Sequence, residues 1–185
     1  MAKKGGLTPM WSDREVERWF DYYVDRAEER IYRLLQRAGE EFVKIARKEG
    51  KYQDWTGNLR SSIGYVIVKN GHIVDFSSFD KVQGAGENIS IVKFTTKDGK
   101  VVNFRAKGAS GNGEEGPKAG FRLAIQLASE YTTGYVLICL AGMKYAVYVE
   151  AIDNLDVISV ATEHTEEWIK KQSKVLFDKL TKKGY

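Results

Sequence analysis

The chain reads as an α+β protein: a long N-terminal amphipathic helix, a mainly antiparallel sheet with hairpins, a central helix and a C-terminal helix. Three patterns lead to that class. Apolar residues recur at helical spacing from Val16 to Ala46. Short β-type runs then follow, separated by Asn-Gly and Asp-Gly turns. Two further helical patterns come after them, around a strand-like run at "GYVLICLA".

The first helix is announced by "SDRE", Ser12 to Glu15. A serine followed three residues later by glutamate forms a capping box, each side chain answering the other residue's amide. Val16, Trp19, Phe20, Tyr23, Val24, Ala27, Ile31, Leu34, Leu35, Ala38, Phe42, Ile45 and Ala46 follow at steps of three or four. Glu29 with Arg33 and Glu40 with Lys44 stand at i,i+4 on the polar side, and Gly50 marks a stop. Such a helix holds about 36 residues and measures about 54 Å. A compact domain of this length is roughly 40 Å across. The helix must therefore bend, with Gly39 as the candidate hinge, or overhang the domain. An overhanging end with Trp19, Phe20 and Tyr23 on one face requires a partner.

The β-type runs are "IGYVIV", "HIVDFSSF", "ISIVKFTT" and "KVVNFRA". "KNGH" and "KDGK" join them in pairs, and Asn-Gly and Asp-Gly accept the positive φ of type I′ hairpin turns. Pro117 sits in the first turn of a helix reaching about Tyr131. "KYAVYVE" alternates as a strand, with Tyr145, Val147 and Val149 on one face. The last helix is expected from about Thr162 to Leu180, acidic at its start and lysine-rich at its end, in keeping with the helix dipole. Residues 1–11 read as a flexible N-terminal arm. Residues 12–185 read as a single α+β domain with a glycine-rich mobile loop at about 105–117.

Composition restricts function. With 185 residues, 43% hydrophobic and 29% charged, the chain can bury one core. Its net charge of +4 comes from 29 bases against 25 acids, which permits contact with nucleic acid without marking a dedicated binder. The single cysteine, Cys139, rules out an internal disulfide and points to a reducing compartment. The start lacks the apolar core of a signal peptide, and no apolar run reaches the length of a membrane span. The expectation is a soluble protein, cytoplasmic when made and without membrane contact.

The residues carry little chemistry. "GNGEEG" at Gly111 to Gly116 matches the letters of a dinucleotide-binding loop, but it follows a Gly/Ser-rich stretch rather than a strand, and Glu114 and Glu115 would repel a pyrophosphate. The only histidines are His72 and His164, so no zinc site is expected. Cys139 lies in an apolar run, where it reads as a small buried hydrophobe. Neither histidine has a nucleophile-elbow context with Ser61, Ser62 or Cys139. No catalytic residue, cofactor or metal is expected. The weaker alternatives are a nucleic-acid-binding module using the C-terminal lysines, and a small cytoplasmic enzyme using His72, Glu150 or Asp156.

Two segments are more specific. "TGNLRSSIGY", Thr56 to Tyr65, follows the long helix, and "AGMKYAVYVEAIDNLDVIS", Ala141 to Ser159, comes much later. Thr56, Gly57, Leu59, Arg60, Ser62 and Ile63 form the first word; Tyr145, Ala146, Tyr148, Val149 and Glu150 form the second. In this order the words resemble those of the neck or tail-completion proteins of tailed bacteriophages, also called head–tail joining proteins. The family's usual Gly-Thr type turn after the glutamate is replaced here by Ala151 and Ile152, and the stretch from Phe79 to Lys118 is longer than the family's middle. The resemblance implies an α+β structural virion protein, made in the host bacterial cytoplasm, that acts in virus assembly as a homo-oligomeric ring. The ring would serve as a head–tail connector, meeting portal and tail-tube proteins and touching packaged DNA only weakly and non-specifically. It implies no catalytic residues. The candidate interaction residues are Thr56, Leu59, Arg60, Tyr145, Tyr148 and Glu150 of the two words, with Trp55 beside them and the aromatics Trp19, Phe20 and Tyr23 of the overhanging helix end.

The segment "KYQDWTGNLRSSIGYVI" raises a local question, because Trp55 stands among polar residues. Thr56 is read as the N-cap of one helical turn through Ser62, with Trp55 stapled against Arg60 and with Leu59 and Ile63 facing the core together. On this reading Trp55 punctuates the fold, and Trp55→Ala lowers the melting temperature before it affects assembly.

Overall fold

The computed structural model describes residues 10–86, 89–95, 99–107, 111–151 and 156–182. Outside them lie residues 1–9 of the expected arm, 87–88 between the two hairpins, 96–98 of the second hairpin turn, 108–110 of the glycine-rich loop, 152–155 of the second word and 183–185 of the basic C-terminus.

Helix α1 runs Asp13–Lys48, and its capping box is present: the Ser12 amide donates to Glu15 Oε2 at 2.8 Å and the Glu15 amide to Ser12 Oγ at 3.3 Å. The short helix α2, Asn58–Ser61, leads into β1, Ile63–Lys69, which pairs antiparallel with β2, His72–Phe76. Asn70 (φ 50°) and Gly71 (φ 83°) form the turn between them, as Asn-Gly predicts. Strands β3, Ile89–Thr95, and β4, Val101–Lys107, form a second, separate hairpin. Helix α3 is Glu115–Ala128, and β5, Tyr135–Ala141, pairs antiparallel with β1, giving a sheet of order β2-β1-β5. Helix α4, Ala146–Glu150, and helix α5, Ser159–Lys182, complete the chain.

Strand β1 is the middle of this architecture. Its odd residues face α1: Ile63 joins Phe42 and Ile45 in one core cluster, and the Tyr65 ring lies against Gly39. Its even residues face α3: Val66 and Val68 join Ala124, Ala128 and Leu140 in a second. Buried on both faces, the strand is apolar throughout rather than alternating, apart from Gly64, which lies against Phe79, and the terminal Lys69. Helix α5 lies outside, antiparallel to α1, its start near Ile45 and its end near Arg30.

Several sequence expectations change here. "KYAVYVE" is a helix, not a strand: Ala146 is buried, Val149 packs on the first cluster, and Val147, expected beside Val149, is 74% exposed. Seven residues are too few to separate the two periods. After β5 the Gly142 and Met143 amides bond to Ser62, turning the chain, and the Val149 amide then finds the Tyr145 carbonyl within one turn. The loop expected over 105–117 is narrower, because residues 105–107 belong to β4 and Glu115 starts α3. Lys44 pairs with Glu41 at 3.2 Å rather than with Glu40. Gly39 is no hinge: it lies inside α1, and a side chain there would overlap Tyr65.

The long helix instead overhangs. Its buried residues begin only at Ala38, and α5 lines it back to about Arg30, so among the described residues the first four turns, though half-buried at Val16, Tyr23 and Ala27, extend past the core. Introducing Gly39→Val should lower unfolding free energy by about 1–3 kcal/mol, because its Cβ position lies 2.4 Å from Tyr65 Cγ in a closed core. Urea denaturation reads this directly, and unchanged stability would refute the close α1–β1 contact.

Candidate interaction surfaces

The turn from Asp54 to Ser62 is a junction of backbones. Asp54 is only 4% exposed, and its carboxylate accepts from the Gly57 amide at 2.9 Å and the Arg60 amide at 2.7 Å. It thereby takes over the capping expected of Thr56. The N-cap is Gly57, whose φ of 77° suits glycine, and Thr56 Oγ1 accepts only from the Asn58 amide, at 3.3 Å. Gly57 is also required by space, since a Cβ there would lie 2.0 Å from the Val82 carbonyl oxygen. The expected Trp55–Arg60 contact is replaced: the Arg60 guanidinium lies over the Tyr52 ring at 4.8 Å and donates to the Gly50 and Tyr52 carbonyls. Tyr52 is buried, and that burial pushes its hydroxyl up to about 12. Leu59 and Ile63 do share the core, as their spacing predicts, so Leu59 belongs to the interior rather than to a surface.

Four distant segments fasten to this turn. The Ala85 amide donates to the Asp54 carbonyl, and the Val82 amide to Ser61 Oγ at 2.8 Å. The Gly113 amide donates to the Thr56 carbonyl at 2.9 Å. Asn58 Oδ1 accepts from the Glu115 and Gly116 amides and so caps α3. The Gly142 amide donates to the Ser62 carbonyl at 3.1 Å. The glycine-rich letters "GNGEEG" thus serve close backbone approach, with a Cβ on Gly113 falling 2.3 Å from the Val82 oxygen.

The two words of the resemblance meet here. A cleft of about 710 Å³ is lined by Trp55, Thr56, Leu59, Tyr145 and Val149 together with Glu115. Burial raises the Tyr145 hydroxyl's pKa, opposed by a hydrogen bond with Thr56. Tyr148 lies outside the cleft lining, 75% exposed beside Val147 on α4.

Glu150 has an internal role. It accepts from the Val157 amide at 2.8 Å, the Ile158 amide at 3.0 Å and the Ser159 amide at 3.0 Å, and from the Ser159 hydroxyl. It therefore caps α5 from the preceding helix. Burial pushes its carboxyl up, but the bonds from Ser159, Ile158 and Val157 outweigh burial and hold the pKa below the ordinary value.

The overhang of α1 forms a second surface. Trp19 and Phe20 are each 59% exposed, and Tyr22 and Val24 are exposed beside them. Trp19 and the half-buried Tyr23 touch ring to ring at 5.2 Å, so the aromatics form one continuous patch.

The titratable candidates are dispersed. His72 and His164 are exposed on β2 and α5, and Asp156 lines a small recess between α1 and α5. Burial pushes the Cys139 thiol up to about 12. Ser61 and Ser62 are fully buried and donate to the Gly57 and Leu59 carbonyls. Among the described residues no group of three or more His, Cys, Asp or Glu could hold a metal ion, and no helix is long and apolar enough to cross a membrane. No protein-family model, curated protein or solved structure matches the chain.

The role of Asp54 has a signal in the sequence: Asp-x-x-Gly before a short helix favours a side chain capping the following amides. Asn58 and Ser61 had none, since their partners lie at Glu115 and Val82.

Asp54→Ala should cost roughly 1.5–3 kcal/mol, since two amides lose a charged acceptor; denaturant midpoints measure it, and a neutral outcome would remove the turn from its central place. Glu150 gives a pH test. With a folded pKa below the unfolded one, its contribution is complete above the unfolded value, near 4.3, and disappears as pH falls through the folded value. Glu150→Gln should therefore destabilise at pH 7 and flatten the decline in melting temperature below about pH 5. Parallel acid limbs in the two proteins would contradict the assignment.

Proposed function

We propose that the chain is a structural virion protein of a tailed phage or prophage. It is a neck or tail-completion protein whose copies form a homo-oligomeric ring joining the head connector to the tail. The observation that carries this reading is the exposed aromatic and apolar surface of Trp19, Phe20, Tyr22 and Val24 near the start of α1. Exposed, contiguous aromatic surface on a helix that leaves its own domain requires another protein to cover it. The meeting of the two resembling words at one cleft supports the same reading: Thr56 and Tyr145, distant in sequence, both line it.

The mechanism is surface complementarity without turnover. Portal and tail-tube proteins are the partners, and the packaged DNA would meet the chain only through weak phosphate contacts of its basic side chains. The segment around Gly84 and Gly111 lies at the junction, where a partner seated in the Trp55–Tyr145 cleft would touch several segments at once.

Size-exclusion chromatography with light scattering tests the proposal on the chain alone and mixed with portal or tail-tube protein. The expected result is a discrete multiple of the 20.9 kDa chain mass, or a stable complex in the mixture. A strict monomer in every sample would sink it.

A further inference from the structure

The overhang is not uniformly apolar at its borders. Asp13, Glu17, Asp21 and Asp25 recur at i,i+4 and form an acidic ridge along one flank of the stripe carrying Val16, Phe20 and Val24. Further along the same molecule, α1 and α5 enclose a groove of about 220 Å³. Leu34, Val175 and Leu176 supply apolar lining, and Arg30, Arg33, Arg37 and Lys179 supply cations. The described residues that line it include no acid. On the neighbouring turns, Glu29 pairs with Arg33 and Glu167 with Lys171.

The geometry points to one occupant for this groove: the Asp13–Asp25 overhang of a second copy of this chain. An amphipathic helix laid between two helices buries its apolar face and sets its flanking charges against the rim, and here rim and ridge have opposite signs. Pairing two overhangs antiparallel about a two-fold axis is the less favourable arrangement. In that arrangement each flank meets its own copy, so acidic ridge would face acidic ridge. Overhang into groove joins two different surfaces, so every copy offers one of each and association runs head to tail, the interface type that closes into a ring or continues as a filament. The inference rests on the proposed self-association and assigns the two surfaces that make it.

Charge reversal tests it on the full chain. One variant carries Glu17→Lys, Asp21→Lys and Asp25→Lys; the other carries Arg30→Glu and Arg37→Glu. Each alone should weaken assembly by at least about tenfold in the dissociation constant, while an equimolar mixture of the two should restore it, because reversed ridge then meets reversed rim. Assembly should also weaken with salt, since these charges are exposed. A third variant, Phe20→Ser, changes an exposed apolar residue and should weaken assembly with circular dichroism unchanged. If the charge variants fold poorly, this variant carries the test. Wild-type assembly by the rim variant, or failure of the mixture to recover, would overturn the inference while leaving ring formation through other surfaces intact. A wild type that stays monomeric at about millimolar concentration would also overturn it. The portal and tail-tube mixtures decide the proposed function separately.

Discussion

The buried Asp54 carboxylate sets the geometry on which most of the molecule depends. By accepting from the Gly57 and Arg60 amides it closes a tight turn whose remaining backbone groups point outward to other segments. The connector after β2, the glycine-rich approach to α3, the α3 N-terminus and the exit from β5 all bond to residues between Asp54 and Ser62. Val82 and the α3 N-terminus bond to the side chains of Ser61 and Asn58, while Ala85, Gly113 and Gly142 bond backbone to backbone, and the close approach of these segments leaves no room for a side chain between them. That explains why glycine stands at residues 57, 84, 113, 116 and 142, each with a Cβ position within 2.3 Å of another segment's backbone. Tryptophan at 55 lies at the rim of this junction, in the cleft, rather than stapled inside it.

From the junction the layers follow. The turn delivers β1 between α1 and α3, where it is buried on both faces, and delivers β5 alongside it. Glu150 then repeats the device at the far end, reaching from α4 to three amides at the start of α5. The buried Asp54 and the half-buried Glu150 carboxylates thus both hold chain reversals. The candidate interaction residues divide accordingly: Leu59, Arg60 and Glu150 serve the interior, whereas Trp19, Phe20 and Tyr148 remain at the surface, with Trp55 and Tyr145 bordering the cleft.

The strongly periodic elements were legible. The capping box, the helical spacing to Ala46 and the Asn-Gly hairpin depend on residues within a few positions of one another, and each is present in the structure. "KYAVYVE" was not legible, because a seven-residue run satisfies either period and its conformation depends on Ser62, far away in sequence. Sequence proximity favours Trp55 as the partner of Arg60, but Arg60 stacks on Tyr52, since the turn closed by Asp54 directs the guanidinium back toward the end of α1.

By itself, then, the sequence determined the fold class and the boundaries of its longest helix, and required that helix either to bend or to overhang, because α1 is longer than a domain of this size can cover. Tertiary structure alone decided which glycines meet, that two words about 80 residues apart share one cleft, and that an acidic helix flank and a basic groove occur on the same chain at different sites. The first group follows from local hydrogen bonding and periodicity. The second depends on where non-local backbone groups find their partners, which no pattern along the chain encodes.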